Sequence, residues 1–461
     1  RKTIWAIGNT LMKEKGKRKK GDSGTAPTPK KDKTEQEEHK KPWQETMATV
    51  EEIKNYLIDN VYLRYNLVTR QVECRRPEPD FFTARGRLPP PLARSIPLQW
   101  QQLDNRAFNS LWSDMSLTKR VSEGDMRRVI DSDFVPAYHP FLYYLERLPP
   151  WDRNTNPILV LSASVGVKGD ADEQMFFYEC LKKWLVGMVA GWIDEDAVNQ
   201  TILVFIGEQG SYKTTWFAHL LPPELRHYFR IKTNASRMTK DDLLTLASHG
   251  LVCYEELDTM NASETNQLKS AVTMPSVDER RPYERFTEHR PHIASFCGTG
   301  NNAQFLTDLT GNRRWVPFEV DFILSPRDNP FDHAAVFAQA YALYREGFHY
   351  WFDQRELPRL NSHNEAFLAP MSEMELVDKY FALPTKTNPG EFVYVSDAIQ
   401  IIGCGSNLRL DPTRVGHAFT ALGFQSHRRK SGRGYWAIQR SADEIKAWKR
   451  MMTAGDGSDA P

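Results

Sequence analysis

The sequence predicts an α/β fold, flanked by a helical N-terminal region and a winged-helix-like C-terminal domain. Three observations predict it. First, Thr201-Ile-Leu-Val-Phe-Ile206 is a continuous apolar, β-rich run that stops at Gly207, which suits a strand buried on both faces. Second, the pattern returns at Leu251-Val-Cys-Tyr254, His292-Ile-Ala-Ser-Phe-Cys297 and Trp315-Val-Pro-Phe-Glu-Val320. Third, helical stretches such as Asp241–Ala247 lie between the early strands, and strands alternating with helices argue an α/β sheet.

The flanking elements follow in chain order. Residues 1–46 are rich in Lys, Gly, Ser, Thr and Pro and read as a basic disordered linker, or as the tail of a missing upstream region. Lys17, Arg18, Lys19 and Lys20 could meet nucleic acid, but a solvated tether is the plainer reading. From Met47 onward Val50, Ile53, Tyr56, Leu57 and Val61 recur at helical steps, so 47–155 is expected to be a mainly helical accessory domain. The α/β core is placed at 156–365, with Leu185–Trp192 as a buried helix within it. Over 366–445 a helix carrying Met374, Leu376, Val377 and Phe381 precedes a strand at Phe392–Val395 and a helix capped by Ser396 and Asp397. Asp411-Pro412 opens the next helix, and Phe424–Ile438 reads as a hairpin turning at Ser431-Gly-Arg-Gly434. Residues 446–461 are expected to be a disordered tail.

At 461 residues the chain is long enough for two or three folded units. The apolar fraction of 40%, with 12 Trp and 24 Phe, supports large aromatic cores. A net charge of +1 does not itself point to nucleic acid, so local basic clusters carry that argument. Cys74, Cys180, Cys253, Cys297 and Cys404 are scattered without a CxxC pair, which suggests buried thiols in a reducing compartment rather than disulfides or a zinc site. No apolar run is long enough to span a bilayer and no signal peptide is visible, so a cytoplasmic protein without membrane partners is expected.

The chemistry centres on Gly207-Glu-Gln209-Gly210-Ser211-Tyr212-Lys213-Thr214, which follows the first buried strand and precedes an apolar helical run. That context fits a phosphate-binding loop, whose backbone N–H groups wrap phosphates at a helix start. Lys213 would reach the β- and γ-phosphates of ATP, the Thr214 hydroxyl would bind Mg2+, and Thr215 completes the cradle. Tyr212 stands where GxxxxGK[ST] has its last glycine. Glu255 and Glu256 end the second apolar run, and such a pair suits one carboxylate on the Mg2+ shell and one on the attacking water. We assign Glu255 to the metal and Glu256 to the water; a register one step out remains an alternative. Asn301, after the third strand, fits a γ-phosphate sensor, and Arg313-Arg314 before the fourth strand fits an arginine finger delivered to a neighbour's ATP. A plain turn and a surface Arg pair are the competing readings. Arg280, Arg281, Tyr283 and Arg285 interleave bases with an aromatic, as DNA contacts do and as a solvated loop also does. Arg428, Arg429, Lys430 and Arg433 form a basic patch on the predicted wing, beside Tyr435 and Trp436.

The ordered series resembles the virulence-associated protein E family, ATPases of the superfamily 3 helicase or AAA+ type from phages and genomic islands. The residues that carry it are Tyr138-His139-Pro140, Tyr144-Leu145, Trp151-Asp152, Lys183–Gly187, Gly207–Thr214, Glu255-Glu256-Leu257, Leu268-Lys269, Arg280 with Tyr283, Gly298-Thr299 with Asn301, Phe305-Leu306 with Asp308, and Gly311–Arg314. The sequence departs from the family pattern at Tyr212, for Gly, and at Gly300, for Thr. The resemblance implies an AAA+-like sheet, a homo-oligomeric ring of the hexamer type with shared ATP sites, and replication of mobile DNA. It also implies a DNA contact at Lys269, and a primase-like unit upstream for which the region around Arg64-Tyr65-Asn66 would be the linker. The expected function is ATP-dependent translocation on single-stranded or forked DNA. The rivals are a nucleotide-switched DNA-binding regulator without strong turnover, and a kinase-like P-loop transferase.

Overall fold

A computed structural model describes residues 46–78, 96–233, 239–279, 287–306, 312–369, 372–403, 410–429 and 432–455. The linker expected at 1–46 lies outside them except for its last residue, as do Cys404 and the family positions Asp308 and Gly311. Helix α1 (Val50–Asn60) starts at a capping box in which Thr49 and Glu52 satisfy each other's backbone N–H. It leads into strands β1 (Tyr62–Asn66) and β2 (Gln71–Arg75), then β3 (Gln101–Gln102), α2 (Asn105–Thr118), α3 (Glu123–Ile130) and β4 (Ala137–Tyr138). The strands form a sheet in the order β3-β2-β1-β4. The expectation of a mainly helical region is therefore corrected: the helices pack on a four-stranded sheet. Its turn is made by Asn66, whose Oδ1 accepts the N–H groups of Val68 and Thr69, and by Arg70 at φ 55°. One face, with Leu63 and Cys74 opposite each other, packs towards Ile53, Leu57, Leu111 and Met126.

The central sheet follows. Its elements are α4 (Pro140–Glu146), α5 (Pro157–Ser162), β5 (Val165–Val167), α6 (Ala171–Ile193), β6 (Ile202–Ile206), α7 (Lys213–Leu220), β7 (Phe229–Lys232), α8 (Lys240–Ser248), β8 (Leu251–Tyr254), α9 (Ala262–Val272), β9 (Ser276–Glu279), β10 (Glu288–Pro291), β11 (Ser295–Gly300), β12 (Trp315–Ile323), α10 (His333–Arg345) and α11 (Leu357–Glu365). Six strands lie in the order β5-β12-β6-β11-β8-β7, all parallel except β5. The strands β6, β8 and β11 are buried along their whole length, as the uninterrupted apolar runs require. Helix α6 is buried from Trp184 to Trp192, and the indole N–H groups of Trp184 and Trp192 donate to the Phe296 and Gly250 carbonyls. Phe141 of α4 stacks on Trp192 at 4.5 Å and Leu145 joins the same core, so the expected boundary at residue 155 cuts through a packed unit. Strand β11 starts later than expected: the N–H groups of Ile293 and Ala294 both donate to the Leu246 carbonyl at the end of α8.

The C-terminal part comprises α12 (Ser372–Tyr380), β13 (Phe381–Ala382), β14 (Glu391–Tyr394), α13 (Val395–Gly403), α14 (Pro412–Ala421), β15 (Ser426–Arg429), β16 (Gly432–Gln439) and α15 (Ala442–Gly455). Strand β16 pairs with β13, β14 and β15. Asp411 caps α14 as its sequence predicts, and Phe419 stacks on Tyr435 at 4.9 Å, whose hydroxyl donates to the Gly416 carbonyl. The expected disordered tail is corrected over its first ten residues, where α15 continues to Gly455. Ser441 and Glu444 form its cap, and the Trp448 indole donates to Asp378.

Candidate functional site

The segment after β6 is shaped by backbone constraints first. The Gly207 N–H donates to the Gly300 carbonyl at 3.2 Å. A Cβ at Gly207 would lie 2.9 Å from Val320 Cγ2 and 3.0 Å from its carbonyl oxygen, so only glycine fits between these strands. Gly210 has φ +87° with open space around it. Tyr212 immediately precedes α7 in a left-handed conformation, φ 62° and ψ 12°, which glycine would adopt without strain. The loop closes over Lys213, whose Nζ donates to the carbonyls of Gly207 (2.8 Å) and Glu208 (2.6 Å) and to Ser211 Oγ (3.2 Å). Burial pushes the Lys213 ammonium below its usual pKa, and the Asp258 carboxylate opposes that shift.

Strand β8 delivers the acids to the same place. The Thr214 hydroxyl donates to Glu255 Oε1 at 2.8 Å, a contact across 41 residues. Glu256 follows at φ 55°, exposed, and its carbonyl accepts the N–H of Thr259 as the chain turns through Leu257–Thr259. Gln209–Thr215, Glu255, Glu256, Thr299, Gly300 and Asn301 line one cavity of about 380 Å3. The structure thus gathers Gln209, Gly210, Ser211, Tyr212, Lys213, Thr214, Thr215, Glu255, Glu256 and Asn301, with Gly207 behind them as a packing residue. Two of the non-glycine residues with positive φ, Tyr212 and Glu256, stand in this cleft.

Sequence reasoning missed Asp258. Its Oδ2 accepts the backbone N–H groups of Asn301 (3.3 Å) and Asn302 (3.1 Å), 43 and 44 residues away. The only local signal was its place two residues after the acid pair.

Other predicted residues lie elsewhere. Arg313 and Arg314 precede Trp315, which pairs with Ile202 at the start of β6, so they sit at the opposite end of the sheet from the loop. They line a cavity of about 520 Å3 with Asn361, Glu365 and His417, and a second one with Thr201 and Tyr350. Lys269 is buried on α9 beside Leu268, with only 6% exposure, so it is corrected from a DNA-facing residue to an interior one. The inward turn of α9 that buries Leu268, Ala271 and Val272 carries the lysine with it. Arg280, Arg281, Tyr283 and Arg285 lie outside the described residues, between β9 and β10. Arg428, Arg429 and Arg433 are exposed on β15 and β16, whereas Lys430 lies outside the described residues. Arg428 and Arg433 are directly opposite each other, and the Arg429 guanidinium sits 3.9 Å from the centre of the Phe392 ring. Among the described residues no helix is long and apolar enough to cross a membrane, and Cys74, Cys180, Cys253 and Cys297 are buried and free.

Residues 145–369 match the model of a Virulence-associated protein E-like domain. No curated protein matches the chain. Among solved structures, an apo structure of the NrS-1 C-terminal region (305-718) aligns with 84% of this chain and 98% of that one, at 11% identity and a TM-score of 0.41. The A form of the same region aligns over the same shares at 10% identity and a TM-score of 0.43. The stretch from Leu145 to Ala369 is thus similar to the virulence-associated protein E-like family, the family that the ordered motifs resemble.

Proposed function

We propose that the protein is a P-loop ATPase of AAA+-like build that drives DNA translocation or unwinding in the replication of a mobile element. The observation that carries this reading is the meeting of Lys213, Thr214 and Glu255 at one end of β6 and β8, with Thr214 and Glu255 in a 2.8 Å hydrogen bond. Strand β11 lies between those two strands and brings Asn301 to the same end.

The residues present fit a magnesium triphosphate. A hydroxyl and a carboxylate side by side are hard oxygen donors that leave room for water and phosphate ligands. Thr214 and Glu255 would hold Mg2+, which supplies neutralisation of phosphate charge. Residues 210–215 line the cavity at the start of α7, and their backbone N–H groups would bind phosphate oxygens. Lys213 would exchange the loop carbonyls of Gly207 and Glu208 for phosphate oxygens. Glu256 would accept a proton from the attacking water, and the Asn301 amide would hold the terminal phosphate in line. Arg313 and Arg314, remote from the cleft of their own chain, would serve the cleft of a neighbour in a ring.

The C-terminal helices α13 and α14 followed by the β15–β16 hairpin have the order of a winged helix, and we assign its wing to DNA phosphates. Arg428 and Arg433 face each other across the hairpin, and like charges so placed repel unless an anion lies between them. The test is ATP hydrolysis by the purified protein with and without single-stranded DNA. DNA-stimulated turnover lost in Lys213→Ala is expected; equal turnover in that variant would end the reading. A nucleotide-switched DNA-binding regulator is the second reading, favoured by the tyrosine in the left-handed position of the loop. It requires ATP binding without turnover.

A further inference from the structure

We propose that Asp258 is a positioning residue that ties the acid turn after β8 to the Asn301 turn after β11, so that Glu256 and Asn301 keep a fixed separation across the cleft. The inference rests on the ATPase reading and deepens it.

Asp258 sits in the turn Leu257–Thr259, directly after Glu255 and Glu256. That turn is closed on itself: both the N–H and the hydroxyl of Thr259 donate to the Glu256 carbonyl, at 2.9 and 2.8 Å. From it the Asp258 carboxylate reaches to the neighbouring strand, where Oδ2 accepts from the two residues that follow β11. A carboxylate accepting two backbone N–H groups makes charge-assisted bonds, stronger than neutral ones. The contact is also short of space. Asp258 Oδ1 is buried without a hydrogen-bond partner, and a Cβ on Gly300 would stand 3.1 Å from it. Gly300 is one of the two positions where this sequence departs from the family pattern. Ile206 Cδ1, 2.9 Å from that Cβ, and the carboxylate together occupy the room that a threonine side chain would need, which gives the departure a physical cause.

The two turns flank the cavity from adjacent strands; the N–H of Glu255 donates to the Lys232 carbonyl of β7 and the Gly300 carbonyl accepts the Gly207 N–H, bonds that tie each turn to a different further strand. Glu256 adopts a left-handed conformation and Asn301 is exposed. Neither side chain is fixed by packing. Asp258 supplies side-chain hydrogen bonds that join the two turns directly, and it acts on Asn301 through the backbone, without itself touching substrate.

The experiment is a double-mutant cycle on ATP turnover of the full chain, with Asp258→Ala, Asn301→Ala and the pair. A displacement of catalytic geometry by about 1 Å costs on the order of 10²-fold in rate. Asp258→Ala is therefore expected to lower kcat by about that factor while KM for ATP changes by less than about threefold. The decisive result is non-additivity: once Asn301 has lost its amide, removing Asp258 should cost nothing further in kcat. Multiplying effects would overturn the proposal. Gly300→Ala, which crowds both Ile206 and the carboxylate, should lower kcat in the same direction, and Asp258→Asn replaces Asp258→Ala in the cycle if the alanine variant does not fold. A wild type that shows no Lys213-dependent turnover overturns the ATPase reading and this inference together. Active wild type with an additive cycle overturns this inference alone.

Discussion

The two ends of the central sheet are built differently. At the end where β6, β8 and β11 finish, Lys213, Thr214, Glu255 and Asp258 are hydrogen-bonded to loop carbonyls, to one another or to backbone N–H groups within one chain. At the other end, Arg313 and Arg314 face the larger cavity, beside Asn312 and Asn364, whose Oδ1 atoms are buried without a hydrogen-bond partner. A buried polar atom without a partner costs stability; the loop end carries one at Asp258 Oδ1, as the arginine end does at Asn312 and Asn364. The difference teaches that the cleft and the two arginines are separate surfaces of one chain, so that in the proposed ring only a neighbouring copy would bring them together.

The largest expected effect tests that separation. Replacing both Arg313 and Arg314 by Ala should lower ATP turnover by about 10³-fold or more if they act as arginine fingers. Mixing that variant with Lys213→Ala, each inactive alone, should restore measurable turnover in mixed assemblies. Turnover that stays absent on mixing would place the arginines outside the reaction. Next, Glu256→Gln should reduce turnover by about 10²-fold or more while nucleotide binding, measured by calorimetry, is retained. A loss of binding equal to the loss of turnover would break the assignment of Glu256 to the water.

A smaller effect is expected on the wing. Arg428→Ala or Arg433→Ala should weaken DNA binding about equally across sequences and reduce the slope of log affinity against log salt by about 1. An unchanged slope would remove the wing from the DNA contact. The smallest effect belongs to Tyr212→Gly. The left-handed backbone costs tyrosine about 1–2 kcal/mol, and glycine gives much of that back through its freer unfolded chain. The melting temperature should therefore move little, while ATP affinity rises; weaker ATP binding would show that the tyrosine ring helps to hold the nucleotide.

Local pattern reached far in this chain. The apolar runs at 201–206, 251–254 and 315–320 became β6, β8 and the first part of β12, and Asp411-Pro412 opened α14. The loop residues and the acid pair fell into one cavity because both lie at the ends of strands whose direction the α/β alternation already sets. Where the reading failed, the controlling contact was distant. Lys269, for which the family resemblance implied a DNA contact, is buried on α9 where that helix packs into the core. The hairpin of β1 and β2 was hidden because its strands are short and rich in polar residues. The helix Ala442–Gly455 could have been read from Ser441-x-x-Glu444, a capping-box signature that the polar composition after Thr453 masked.

By itself the sequence determined the strand-loop-helix at residues 201–220, the acids at 255–256 and the alternation that makes the fold α/β, since periodicity, glycine and capping residues act over a few positions. The tertiary structure alone decided that Asp258 grips the Asn301 turn, that Gly300 makes room for it, and that Arg313 and Arg314 stand at the far end of the sheet. Those outcomes depend on which strands become neighbours and in what register, and the free energy that selects them comes from burying side chains far apart along the chain.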